Sequence, residues 1–196
     1  MITVGLTGGI GSGKTLISEI FNRLGIPVFN ADYEARKIMN SNEDVIVQIE
    51  KEFGDDIYNT EGINRKKLAA IIFENESALK KINSIVHPKV RESFINWSNE
   101  KTSFSYVIEE AAILFESNAH KELDITINVH TDELIRINRV VERDQVPIEA
   151  VKSRMKNQLT DEERISLSDY TIYNDGKRMV LPQVLEIHQK ILNRRK

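Results

Sequence analysis

No cysteine occurs among the 196 residues, which excludes a disulfide framework and a thiolate-held metal. A charge excess is also missing: 27 Lys and Arg stand against 30 Asp and Glu, for a net −3 at pH 7. General binders of nucleic acid or membrane surfaces carry a basic excess, so neither partner is supported. No apolar run approaches the length of a membrane span. Met1-Ile2-Thr3 has no basic leader region, and the first apolar run ends in glycines instead of a cleavage site. No linker rich in Pro, Gly or Ser, internal repeat or low-complexity stretch divides the chain. The expectation is one cytoplasmic unit with inserted subdomains, its core drawn from the 40% of residues that are hydrophobic and its surface from the 29% that are charged. Oligomeric state is left open.

What is present is an alternation of strand and helix patterns. Ile2 to Thr7 is short, β-branched and apolar on both faces, like a strand buried in a parallel sheet. Leu16, Ile17, Ile20, Phe21 and Leu24 then recur at helical spacing up to Gly25. Pro27 to Asn30 reads as a second strand. The gap from Ala31 to Phe104 is too long for one crossover helix. It carries helical patterns at Val45, Ile46, Ile49 and Phe53, at Leu68, Ile71 and Ile72, and at Leu79, Ile82, Ile85 and Val86. The pattern resumes after Pro88 at Val90, Phe94 and Trp97, so the segment is expected to be a helical subdomain. Ser105 to Glu109 and Asp124 to His130 read as strands, with a helix following from Thr131. Thr160-Asp161-Glu162-Glu163 is a capping-box signature. Tyr170 to Tyr173 is a last strand, and Val180, Val184, Ile187 and Ile191 line a final helix whose negative end Arg194-Arg195-Lys196 complements. Such alternation indicates an α/β fold with a parallel sheet.

Gly8-x-x-x-x-Gly13-Lys14-Thr15 is a complete P-loop, placed between a strand and a helix as the motif requires. Its glycines let backbone N–H groups turn inward around a phosphate, and the following helix adds its positive end. Gly9, Gly11, Ser12, Gly13, Lys14, Thr15 and Leu16 are therefore the candidate ATP-binding run. Lys14 reaches the β- and γ-phosphates, and the Thr15 hydroxyl is a Mg²⁺ ligand. A GTPase switch needs D-x-x-G and N-K-x-D, and neither occurs. A motor ATPase or helicase is usually larger and more basic. What remains is a small kinase, which needs an acceptor site, a group to orient the attacking hydroxyl, and cations on the moving phosphoryl group.

Asp32, just past the second strand, reads equally well as general base, as ligand to a magnesium water, or as a helix N-cap. Arg136, Arg139 and Arg143 share a helix face and can close over phosphates, or form a solvated face. Arg154 and Arg164 extend a basic, polar helical stretch suited to a mobile lid. Glu109 and Glu110 end the third strand, either as holders of a magnesium water shell or as ordinary strand-end charges. The four histidines show no metal spacing, and His87-Pro88 is an acceptor contact or a packed histidine.

The pattern as a whole resembles the dephospho-CoA kinase family. The likeness covers nearly the whole chain and is carried by Leu6 to Thr15, Asn30-Ala31-Asp32-x-x-Ala35-Arg36, Arg65-x-x-Leu68 and His87-Pro88-x-Val90-Arg91. It continues through Leu114-Phe115-Glu116, Arg139-x-x-x-Arg143-Asp144, Arg154-x-x-x-Gln158 and Asn174-Asp175-Gly176. It implies transfer of the ATP γ-phosphate to the ribose 3′-hydroxyl of dephospho-CoA, the last step of CoA biosynthesis. It also implies a P-loop kinase fold: a nucleotide core at about 1–30, 104–130 and 169–196, a helical acceptor subdomain at about 31–103, and a lid at about 131–168. By matching positions, Asp32 would be the catalytic base and Arg139 the lid arginine on the phosphates. Asn174 and Gly176 would lie near the adenine, and Arg65, His87 and Arg91 in the acceptor region. Three departures stand out: Asn30 where the family usually has Asp, Ala112 where it usually has Pro, and Thr15-Leu16 where Ser-Thr is common. A kinase for another small alcohol (nucleoside, nucleotide or sugar acid) and a binding switch without phosphotransfer are the alternative readings.

Overall fold

A strand apolar on both faces must be covered on both sides, and Ile2–Gly8 is such a strand, β1. It opens a chain of alternating elements in the computed structural model, which describes residues 1–194, the side chains of Phe73 and Glu74 apart. After β1 come α1 (Lys14–Arg23), β2 (Val28–Asn30), α2 (Ala31–Ser41) and α3 (Glu43–Phe53). A short hairpin follows, β3 (Tyr58–Asn59) and β4 (Gly62–Ile63), then α4 (Arg65–Glu74) and α5 (Glu76–Asn99). The remainder is β5 (Tyr106–Glu110), β6 (Ile125–His130), α6 (Glu133–Asp144), α7 (Ile148–Met155), α8 (Asp161–Leu167), β7 (Tyr170–Tyr173) and α9 (Val180–Leu192). The expected role of Arg195 and Lys196 at the end of α9 lies outside the described residues.

The chain divides into two compact units, one holding residues up to Asn30 and from Ser98 onward, the other Ala31–Trp97. In the first, five strands form a parallel sheet in the order β2-β5-β1-β6-β7. Val4, Leu6, Tyr106, Ile108, Ile125, Ile127 and Val129 line one sheet face, where Ile17 and Phe21 of α1 and Val184, Ile187 and Ile191 of α9 cover them. Phe21 has no exposed surface. Truncating an aromatic side chain buried in this way costs about 3–5 kcal/mol. All five strands run in one direction, so β1, β2, β5, β6 and β7 present their carboxyl ends along a common edge, where ligands bind in open α/β sheets.

In the second unit α3 and α4 begin on capping asparagines, Asn42 accepting from Val45 N–H and Asn64 from Lys67 N–H, each at 3.1 Å. Val45, Ile49, Ile57, Leu68, Ile82, Ile85 and Val86 are buried there. The helical pattern is continuous across Pro88, which lies inside the 24-residue α5. The periodicity of the sequence does not announce the β3–β4 hairpin, whose strands are two residues each.

Candidate active site

Between β1 and α1 the chain turns through Gly9 to Gly13. Gly11 and Gly13 take φ of 79° and 92°, which strains any residue with a side chain. Space excludes one too: a Cβ on Gly11 would run into the Arg136 carbonyl and Val140, and one on Gly13 into the Asn174 carboxamide. Gly13 heads α1, and no side chain caps the helix there. Its first-turn N–H groups and positive dipole end therefore suit an anion. Lys14 turns back so that Nζ donates to the Gly8 carbonyl at 2.8 Å. Thr15 and Leu16 are exposed in the same turn.

The ends of β6 and β7 hold the loop from outside. Ser12 is buried, and its carbonyl accepts from Asn174 Nδ2 at 2.8 Å. Thr131 Oγ1 lies 3.0 Å from both the Ser12 and the Asn174 carbonyls. The Asn174 N–H is tied to the His130 carbonyl at 2.8 Å. Asn174 thus stands against the phosphate loop itself. Gly176 is exposed in the turn beyond it, with φ of 78°. Arg178 sits 4.0 Å over the Tyr173 ring beside that turn.

The three arginines of α6 do not act as one face. Arg139 hydrogen-bonds to the loop backbone, its guanidinium 3.4 Å from the Gly11 carbonyl and 3.3 Å from that of Asn174, whereas Arg136 and Arg164 stand against Gly9, where a Cβ would run into both guanidinium groups. Arg136 is 3% exposed. Its Nε donates to the Thr131 carbonyl at 2.9 Å, and one NH₂ group to both oxygens of Asp161 at 3.1 and 2.9 Å. Arg164, expected on a polar lid surface, is 2% exposed and pairs with the same Asp161. Burial pushes the Arg136 guanidinium below its ordinary value and Arg164 adds to this, while Asp161 opposes it. Breaking such a buried pair costs about 3–5 kcal/mol, because it strands a charge. Arg143 faces outward and shares Asp144 with Arg154. The difference has a physical reason: residues at i, i+3 and i+7 share a stripe, but Asp161 engages Arg136 and Asp144 engages Arg143, so of the three only Arg139 turns its guanidinium onto the loop carbonyls.

Glu109 and Glu110 end β5 as expected, but each is 6% exposed, so neither is an ordinary strand-end charge. Glu110 Oε2 accepts from Ser18 Oγ at 3.0 Å and Asn30 Nδ2 at 3.2 Å. Asn30 therefore supplies a donor where a second carboxylate would repel the first.

In the helical unit, Asp32 is the second residue of α2 and so lies within the helix, not at its cap. An acid in a first turn gains about 0.3–1 kcal/mol from the helix dipole. Arg65 is exposed at the start of α4. His87 and Arg91 are half-buried and four residues apart on α5, hence on one face. Burial pushes the His87 imidazole below its usual value. The structure thus brings Gly9 to Leu16, Arg139 and Asn174 together in the first unit, and carries Asp32, Arg65, His87 and Arg91 on three helices of the second. Thr131 was missed by the sequence reading, since a threonine after a strand announces nothing by itself.

Comparison with known proteins adds an independent line. A family model described as dephospho-CoA kinase matches residues 2–179. A dephospho-CoA kinase of Porphyromonas gingivalis is 36% identical over 197 residues, covering 100% of this chain and 96% of its own. Among solved structures, TT1252 from Thermus thermophilus superposes with a TM-score of 0.86 at 26% identity, covering 98% of both chains. Dephospho-CoA kinase from Campylobacter jejuni gives a TM-score of 0.69 at 27% identity, covering 96% of both.

Proposed function

Because this chain belongs to the dephospho-CoA kinase family, it catalyses the ATP-dependent phosphorylation of dephospho-CoA in CoA biosynthesis, and we propose that the residues described above carry that transfer. The observation that carries the assignment is the loop. An uncapped helix start, Lys14 and Arg139 converge there, Lys14 on the Gly8 carbonyl and Arg139 on the Gly11 and Asn174 carbonyls, so that two cations flank the anion-binding end of α1.

The N–H groups of Gly9 and of Gly11 to Leu16 cradle the ATP phosphates, and Lys14 bridges the β- and γ-phosphates. Arg139 neutralises charge on the moving phosphoryl group. Asn174 and Gly176 border the adenine. Among the described residues no group of three His, Asp or Glu forms a metal cage. The donor set instead fits Mg²⁺ that arrives with the nucleotide: a hydroxyl on Thr15 beside phosphate oxygens, all hard ligands. When bound, the ion offsets phosphate charge.

Asp32 follows directly on β2, whose last residue pairs in register with Glu110 at the carboxyl edge of the sheet. We assign it as the base. As the ribose 3′-oxygen bonds to the γ-phosphorus, the hydroxyl proton passes to Asp32. The bond to the β–γ bridging oxygen breaks and ADP departs. Arg65 and Arg91 supply cationic groups for the acceptor's phosphates, and His87, neutral near pH 7, offers a hydrogen bond. The stretch at 31–103 thus serves the acceptor, and that at 131–168 acts as the lid. The enzyme's need for ATP supports a cytoplasmic location. The test is ADP release with a panel of acceptors. Release driven by dephospho-CoA and not by nucleosides, nucleotides or gluconate is expected; equal release with any of these would overturn the acceptor.

A further inference from the structure

Gln158 lies in the connection between α7 and α8 and is hydrogen-bonded at both ends of its carboxamide. Oε1 accepts the Ile10 N–H at 2.8 Å, and Nε2 donates to the Ala112 carbonyl at 2.9 Å. The adjacent Leu159 N–H goes to Glu116 Oε1 at 2.8 Å. The Leu159 carbonyl accepts from the buried Arg164. This short connection is therefore stitched to the phosphate loop on one side and to the stretch after β5 on the other. The Ile10 side chain is held as well, packing against Ile137, Val140 and Val151 of α6 and α7.

We propose that Gln158 is a positioning residue for phosphoryl transfer: it fixes the Ile10 peptide, and with it the shape of the phosphate loop, against the segment that follows β5. This rests on the reading of that loop as the ATP cradle. The chemistry asks for one planar group with an acceptor and a donor at fixed separation, which glutamine supplies. Asparagine is one methylene short. Ionised glutamate keeps the acceptor for Ile10 but turns an acceptor toward the Ala112 carbonyl, where two oxygens repel. Protonated glutamate restores the donor. The loop is a place where small displacements matter, because a shift near 1 Å in reacting groups can cost about 10²-fold in rate. The Ala112 contact uses only a backbone carbonyl, which any residue at that position provides.

The test uses Gln158→Met and Gln158→Glu in the full chain, with thermal unfolding alongside single-turnover transfer to dephospho-CoA and ATP binding. Gln158→Met is expected to keep its fold and ATP binding within a fewfold of the parent while transfer falls about 10- to 10²-fold. The activity of Gln158→Glu relative to the parent should rise as pH falls from 8 to 5.5, as its carboxyl regains the donor. A side chain that merely fills space gives a ratio flat with pH. Transfer by folded Gln158→Met within twofold of the parent overturns the proposal. If Gln158→Met fails to fold, the pH ratio of Gln158→Glu decides alone, and a flat ratio overturns it. Lys14→Ala, run in parallel, separates the two levels. Full transfer by that variant removes the cradle reading, whereas lost transfer there with normal Gln158 variants removes only the role of Gln158.

Discussion

Lys14 donates its ammonium group to the carbonyl of Gly8, 2.8 Å away across the loop that both residues frame. The cation is thus folded over the place where the loop's N–H groups turn inward. A phosphate entering there offers the ammonium group a charged acceptor, and charge-assisted hydrogen bonds are roughly twice as strong as neutral ones.

Lys14→Ala should accordingly lose most transfer activity with the fold intact, since a half-buried lysine at a loop–helix junction is not core. Steady-state ADP release and circular dichroism check this. Near-normal turnover in folded protein would sink the P-loop assignment.

Arg139 touches the Gly11 and Asn174 carbonyls at 3.4 and 3.3 Å, contacts long enough to be given up for phosphate. Arg139→Ala should lower kcat more than it raises the KM for ATP, because its charge matters most as the phosphoryl group loosens. A change confined to KM would make it a ground-state contact only.

Asp32→Asn keeps size and removes basicity. General-base help is typically worth about 10²–10⁴ in rate, and kcat should fall within that range. Asp32 sits inside the first turn of α2, so the same change should cost less than about 1 kcal/mol of stability. Single-turnover transfer together with ATP binding and thermal unfolding decides the matter. Wild-type-like transfer would leave the site without its base.

Burial holds the His87 imidazole below its ordinary value. A histidine whose folded value is lowered binds fewer protons folded than unfolded through the window below about 6.5. Its contribution to stability is present above that value and is lost as pH falls toward the folded one. Urea unfolding at pH 7.5 and 5.5 should therefore show a smaller loss of stability in His87→Gln than in the parent. His188, lowered by the same cause, leaves part of the slope in place. The carboxyl groups of Asp56 and Glu76, lowered by Lys67 and Lys80, act below this window. Identical losses in the parent and the variant would contradict a neutral, half-buried His87.

Much of the nucleotide core was legible because its signals are local. The β-branched run of β1, the glycines of the loop and the helical spacing through Phe21 each act over a few residues. The Thr160–Glu163 capping box formed as written, with both of its reciprocal hydrogen bonds. The stretch through Arg154 reads as helical and polar, but not as a separate α7 starting at Ile148, since an eight-residue helix with one buried residue carries little periodicity.

The chain by itself determined that a strand, a phosphate loop and a helix follow one another, because backbone sterics and hydrophobic period are properties of neighbouring residues. Only the tertiary structure decided the strand order, in which β5 separates β1 from β2. It alone separated Arg139, on the loop carbonyls, from Arg136, committed to Asp161, set Asn30 as the donor to Glu110, and brought Gln158 to Ile10, 148 positions earlier. Those outcomes depend on which distant groups share a buried space and must satisfy one another's charges and hydrogen bonds there, and no local pattern encodes that.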